Sequence, residues 1–236
     1  MGRYEGSDLS AMSITWENIC NYKCCVQPDI TDIAKYDYGD YSELHANVKL
    51  RNNITVNNIA AFKLKDRDLF GLQHFMVAQT KLPVLPKPDP NQELNPTAIY
   101  IGIILYDGPG KYGPPKTSYE AVLSWVLNPW SDHYGNIEIA LPGNQWKPVA
   151  YLEPDTEWHT LGVKADFKEM KYIFLQVELE RIDISGYNLA TKDHPKWDID
   201  ISAWVSCEAA HCDPGPNCQN RFRWYQLYRN WLWEFG

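Results

Sequence analysis

The sequence has no apolar run long enough to cross a bilayer as a helix. Its longest, Ile99–Tyr106, falls well short of the ~20 residues a span needs. Residues Met1–Ser10 are polar and carry no signal-peptide pattern. Basic residues are in deficit, with 22 Lys and Arg against 30 Asp and Glu, for a net charge of −8. A field of that sign disfavours polyphosphate and anionic lipid, which argues against nucleic acid and membrane surfaces as partners. There is no Cys-x-x-Cys pair, so the usual zinc spacing is missing. No Gly-rich phosphate loop and no nucleophile elbow occur.

Aromatic residues are plentiful: ten Trp and fifteen Tyr in 236 residues. That exceeds what a core usually takes, so some of these rings are expected at a surface that binds something. Length and an apolar content of 44% suit one domain, 1–236, large enough to bury a core. The dominant pattern has period two. His159, Leu161, Val163, Ala165 and Phe167 alternate with more polar neighbours, and Ile173, Leu175, Val177 and Leu179 do so after a short link. Both sets are expected to face a core, leaving Tyr172, Phe174, Gln176 and Glu178 outside. Ile199, Ile201, Ala203, Val205 and Cys207 form a third such set, opposite Trp204. Further strands are expected at Leu44–Leu50, Ile54–Leu64, Leu69–Gln79, Ala98–Tyr106, Tyr119–Leu127 and Asn136–Leu141. The expected fold is therefore all-β, an antiparallel β-sandwich or jelly roll. Trp224, Leu227, Tyr228, Trp231 and Phe235 fall at helical spacing and predict a short C-terminal helix lying over one edge of the core; a strand also fits them.

The six cysteines fall in two clusters, Cys20, Cys24 and Cys25, and Cys207, Cys212 and Cys218. Disulfides are the favoured reading over free thiols or a zinc site at His211 and Cys212, with the pairing open among fifteen possibilities. Disulfides imply an oxidising compartment, hence an extracellular or cell-surface location. Asn53-Ile54-Thr55 is a glycosylation sequon.

The loop Asn128–Asn136 offers Trp130, Asp132, His133 and Tyr134. Sugars present C–H faces that stack on Trp and Tyr, and hydroxyls that pair with Asp, Asn and His. Trp146 stands in another loop, and a simple meander of strands 98–106, 119–127 and 136–141 would put it at the end opposite Trp130. One site is then built only on the sheet face between them, where Trp125 is expected to matter. The candidate ligand residues are thus Trp130, Asp132, His133, Tyr134, Trp125 and Trp146. Carboxylate pairs at Asp198 and Asp200, and at Glu178 and Glu180, could serve acid–base chemistry or hold Ca2+; no other cofactor is expected. A lyase would need a Tyr and a His, for which Gln73-His74, His159 and Tyr172 are possible parts.

Trp158-His159, the alternating strand to Phe167 and the second strand from Tyr172 to Val177 resemble the Trp-His strand pair of laminin-G-like and concanavalin-A-like lectin and glucanase domains. Those domains often have Asp-Gly after the second strand, where this chain has Glu178-Leu179. The resemblance implies a jelly roll, with carbohydrate binding or cleavage as the common functions. The Glu-x-Asp…Glu pattern of jelly-roll endoglucanases is absent. A lectin-like carbohydrate-binding module, with a glycan as partner, is the leading expectation. A glycoside hydrolase or polysaccharide lyase, and a structural or adhesion protein, are the rivals. Oligomeric state is left open.

Overall fold

A computed structural model describes residues 2–5, 12–19, 29–38, 42–50, 55–63, 72–85, 98–107, 117–129, 131–193, 202–210 and 222–236. Among them are sixteen strands in two antiparallel sheets, and no helix. The first sheet runs in the order β13 (Glu180–Asp183), β12 (Lys171–Val177), β11 (His159–Asp166), β6 (Gln73–Val84), β16 (Phe222–Phe235), β4 (Ser42–Leu50) and β3 (Asp29–Asp37), with β1 (Gly2–Glu5) also on β16. The second runs β10 (Gln145–Tyr151), β9 (Asn136–Leu141), β8 (Thr117–Val126), β7 (Ala98–Asp107), β15 (Ser202–Ala210), β5 (Thr55–Lys63) and β2 (Met12–Ile19), with β14 (Ala190–Asp193) also on β8.

The core lies between the sheets. Met76, Ala78 and Leu82 of β6, Leu161, Val163 and Ala165 of β11, and Leu175 of β12 are buried there. They meet Ile101, Ile103 and Leu105 of β7, Ala121 and Leu123 of β8, and Ile137 and Ile139 of β9 in one apolar cluster. Successive strand residues point to opposite faces, so this alternation is the sequence pattern made physical. Each fully buried Leu or Ile contributes roughly 1.5–3 kcal/mol. No described helix is long and apolar enough to cross a membrane.

Three expectations need correction. The C-terminal segment is a strand, β16, and not a helix. It lies centrally, between β6 and β4. Two register shifts against β6, between Tyr225 and Leu227 and between Tyr228 and Trp231, break its period of two, and that break mimics helical spacing.

Tyr172 faces the core and is fully buried. Lys164 pairs with Phe174 but Ala165 pairs with Tyr172. Ile173 is thus an extra residue, and the bulge moves every residue before it to the other face.

Leu179 is 97% exposed, because Glu178 and Leu179 form the tight turn joining β12 to β13, with Val177 paired to Glu180. Of the strand expected at Asp198–Cys207, the part from Ser202 is described and is a strand, while Ile199 and Ile201 lie outside the described residues, as do Cys20, Cys24, Cys25, Cys212, Cys218 and Asn53.

Candidate cleft on the outer face of the second sheet

Strands β7 to β10 form an up-and-down meander. Their inward residues fill the core, so the alternate residues make an outer face. Gly102, Ser124, Glu138 and Pro148 stand side by side across it, and Tyr106, Glu120 and Ala190 form a parallel row. Between these rows a cavity of about 200 Å³ opens. Its floor is Gly102, Ile104, Val122, Ala140 and Ala190. The last three form a small buried apolar cluster with Ile104, separate from the main core. Small side chains here leave room above the sheet. The polar wall holds Glu120 and Ser124, 2% and 5% exposed.

The rim comes from the β9–β10 hairpin. Gly143 and Asn144 take φ of 78° and 57°, the left-handed conformations that a tight reversal requires. That reversal sets Asn144, Gln145 and Trp146 along one side of the cavity. Trp146 pairs with Ala140 and is 51% exposed. Five residues on, at about 15 Å along the strand, Tyr151 is 58% exposed, and its hydroxyl donates to the Glu153 carboxylate.

Beside the cavity, Glu138 is 6% exposed and opposite Ser124. Its Oε1 lies 2.5 Å from Nδ1 of His133, an exposed ring on the β8–β9 loop. The Glu138 hydrogen bond holds the His133 pKa above its ordinary value. The loop is built of turns: Ser131 N donates to Asn128 O, Tyr134 N to Ser131 O and Asn136 N to His133 O. Gly135 ends it at φ 81°. A Cβ there would lie 2.5 Å from the Tyr151 ring, so glycine is required both by conformation and by space.

Of the residues expected at a ligand site, the structure brings Trp146 to the cleft and His133 to its margin through Glu138. Asp132 is exposed and Tyr134 half-buried in the same loop. Burial, then the nearby Glu153, pushes the Tyr134 phenol up. Trp130 lies outside the described residues. Trp125 is corrected: it faces the core and is fully buried. Its indole N–H donates to Leu152 O at 3.1 Å, and His159 meets its ring edge-on at 5.2 Å.

The lyase parts do not assemble in the cleft either. His74 and Tyr172 are fully buried in the first sheet. His159 is fixed by Glu178 Oε1 at 2.6 Å and Asp155 Oδ1 at 3.0 Å. Glu178 therefore serves a turn, apart from the exposed Glu180, and Asp198 and Asp200 lie outside the described residues. Among the described residues no group of three His, Cys, Asp or Glu could hold a metal ion.

Glu120, Ser124 and Glu138 were missed in the sequence. The signal was present: polar residues alternate with apolar ones in Ser118–Val126 and Asn136–Leu141, and each marks the outer face.

No family model matches the chain, and no curated protein matches it in sequence. Solved structures to which it is similar include the basic winged bean lectin with Tn-antigen, at 12% identity and TM-score 0.46 over 99% of this chain and 98% of that one. A beta-1,3-glucanase from Mycobacterium marinum is similar at 11% identity and TM-score 0.45, over 96% and 92%. A mutant alginate lyase in complex with alginate tetrasaccharide gives 11% and TM-score 0.42, over 85% and 82%.

Proposed function

We propose that the chain is an extracytoplasmic glycan-binding protein whose ligand lies along the outer face of the second sheet. One observation carries this reading: a half-exposed Trp146 at the rim of a cleft with an apolar floor and a nearly buried carboxylate, Glu120. A sugar ring offers one apolar C–H face for Trp146, while its hydroxyls donate to carboxylate oxygens and exchange hydrogen bonds with Ser124, Asn144 and Gln145. Tyr151 supplies a second ring further along the same strand, at a distance that a short oligosaccharide spans.

Binding is favoured over cleavage by the positions of the acids. Glu138 stands opposite Ser124, four residues from Glu120 on β8. Glu138 is held by His133 beside the cavity, so among the described residues Glu120 is the one carboxylate in its lining, whereas cleavage needs a pair of carboxyl groups flanking one glycosidic bond.

The test is a glycan array followed by calorimetry on the best ligand. Trp146→Ala is expected to weaken binding about ten-fold with little change in melting temperature, since Trp146 is already half exposed. Unchanged affinity in that variant sinks the reading, as does an array with no ligand. Release of reducing ends or unsaturated sugars by the wild type would turn it toward an enzyme.

A further inference from the structure

We propose that Tyr172, a core residue of the opposite sheet, sets the width of the cleft by wedging β8 and β9 apart from beneath; this rests on the cleft being the glycan site. The ladder between β8 and β9 has three pairs: Trp125 with Ile137, Ser124 with Glu138 and Leu123 with Ile139. The next pair in that register is Val122 with Ala140, and it is not formed. The Tyr172 hydroxyl occupies its place. It accepts from Val122 N at 3.1 Å and donates to Ala140 O at 2.7 Å. Those are the two groups that a closed rung would join directly. A phenol can replace the rung because one oxygen both accepts and donates.

Beyond this point β9 diverges, and β14 takes the vacated edge of β8, pairing Ala190 with Glu120. The cavity sits over the fork. Val122, Ala140 and Ala190 are its floor, and Leu123, whose side chain faces the core, also lines it. The lining thus includes both Val122 and Ala140, the pair that the hydroxyl bridges. Removing the hydroxyl leaves a buried N–H and a buried C=O facing each other. Their cheapest remedy is to meet at about 2.9 Å, which draws Val122 and Ala140 together and closes the floor. Tyr172 is a positioning residue in this account, with no contact to the ligand.

The test is Tyr172→Phe, with Leu175→Val as a control that thins the same strand of the core. The crystal structure of Tyr172→Phe is expected to show Val122 N and Ala140 O in direct contact and a smaller cavity. Affinity for the best wild-type glycan is expected to fall about ten-fold or more, while Leu175→Val keeps it. A rung that stays open overturns the proposal, and so does a closed rung with unchanged affinity. The crystal structure reports the rung and the cavity whether or not any glycan binds, so failure of the glycan reading is seen separately. Should Tyr172→Phe not fold, the wild type is read by NMR. A slowly exchanging Tyr172 hydroxyl proton, with a nuclear Overhauser effect to the Val122 amide, is expected, and its absence overturns the wedge.

Discussion

Nδ1 of His159 lies 2.6 Å from Oε1 of Glu178, and this contact secures a turn whose first residue holds φ at 54°. The second Glu178 oxygen accepts from Thr160 N at 3.3 Å. A side chain at positive φ is strained by about 1 kcal/mol, so the carboxylate offsets strain that it shares a residue with.

Two substitutions separate the effects. Glu178→Ala keeps the strain and loses the hydrogen bonds, and is expected to cost about 1–2 kcal/mol. Glu178→Gly loses the bonds but relieves the strain, so it is expected to be about 0.5–1 kcal/mol more stable than the Ala variant. Urea titrations at neutral pH read the difference. Equal stabilities would mean that the turn is not strained.

His74 predicts an acid-sensitive stability. It is fully buried in β6, with Nε2 3.9 Å from Asp107 Oδ2 on β7 of the other sheet. Burial lowers its pKa from 6.5 to about 4, so desolvation outweighs the attraction of that carboxylate. The folded state therefore binds fewer protons than the unfolded chain in that window. Its contribution is fully present above pH 6.5 and is lost as pH falls through about 4. About 2 kcal/mol should disappear between pH 7 and pH 4.5. Denaturation of His74→Gln at both values is expected to show a shallower loss. An identical slope in the variant counts against the buried neutral ring.

The cysteines give a prediction independent of the cleft. Thiol titration of denatured, unreduced protein is expected to find two or fewer free thiols among the six, as an oxidising compartment requires. Six titratable thiols would remove the ground for placing the chain outside the cytoplasm.

Alternation made much of the fold legible. β9 spans Asn136–Leu141 as expected, and His159, Leu161, Val163, Ala165 and Phe167 all face inward. The errors of strand parity share one cause, since a bulge or a turn changes parity without changing composition. One extra residue at Ile173 turned Tyr172 inward, and a turn at Glu178 put Leu179 in water. Trp125 misled for another reason. Aromatic excess says that some rings lie outside, but the choice among rings follows from register, and Trp125 stands opposite Ile137 and Ile101, both core residues. Trp146 was legible as exposed because Pro142, Gly143 and Asn144 precede it in a turn. Glu120 and Glu138 were not singled out, because a carboxylate on a strand reads as a solvated face until the neighbouring strands show that it is covered.

The central place of β16 has a consequence for biosynthesis. Its partners lie far upstream: Val77 pairs with Leu232, and Gly2 with Phe235, nearly the whole length of the chain apart. While the ribosome is still making the residues before Phe222, the facing edges of β6 and β4 have no partner. Such open edges invite pairing with other chains. The first sheet then completes only after release of β16, through contacts of high sequence separation, which places folding in the slow, milliseconds-to-seconds class of all-β topologies. Holdase chaperones acting on the nascent chain should therefore raise its soluble yield.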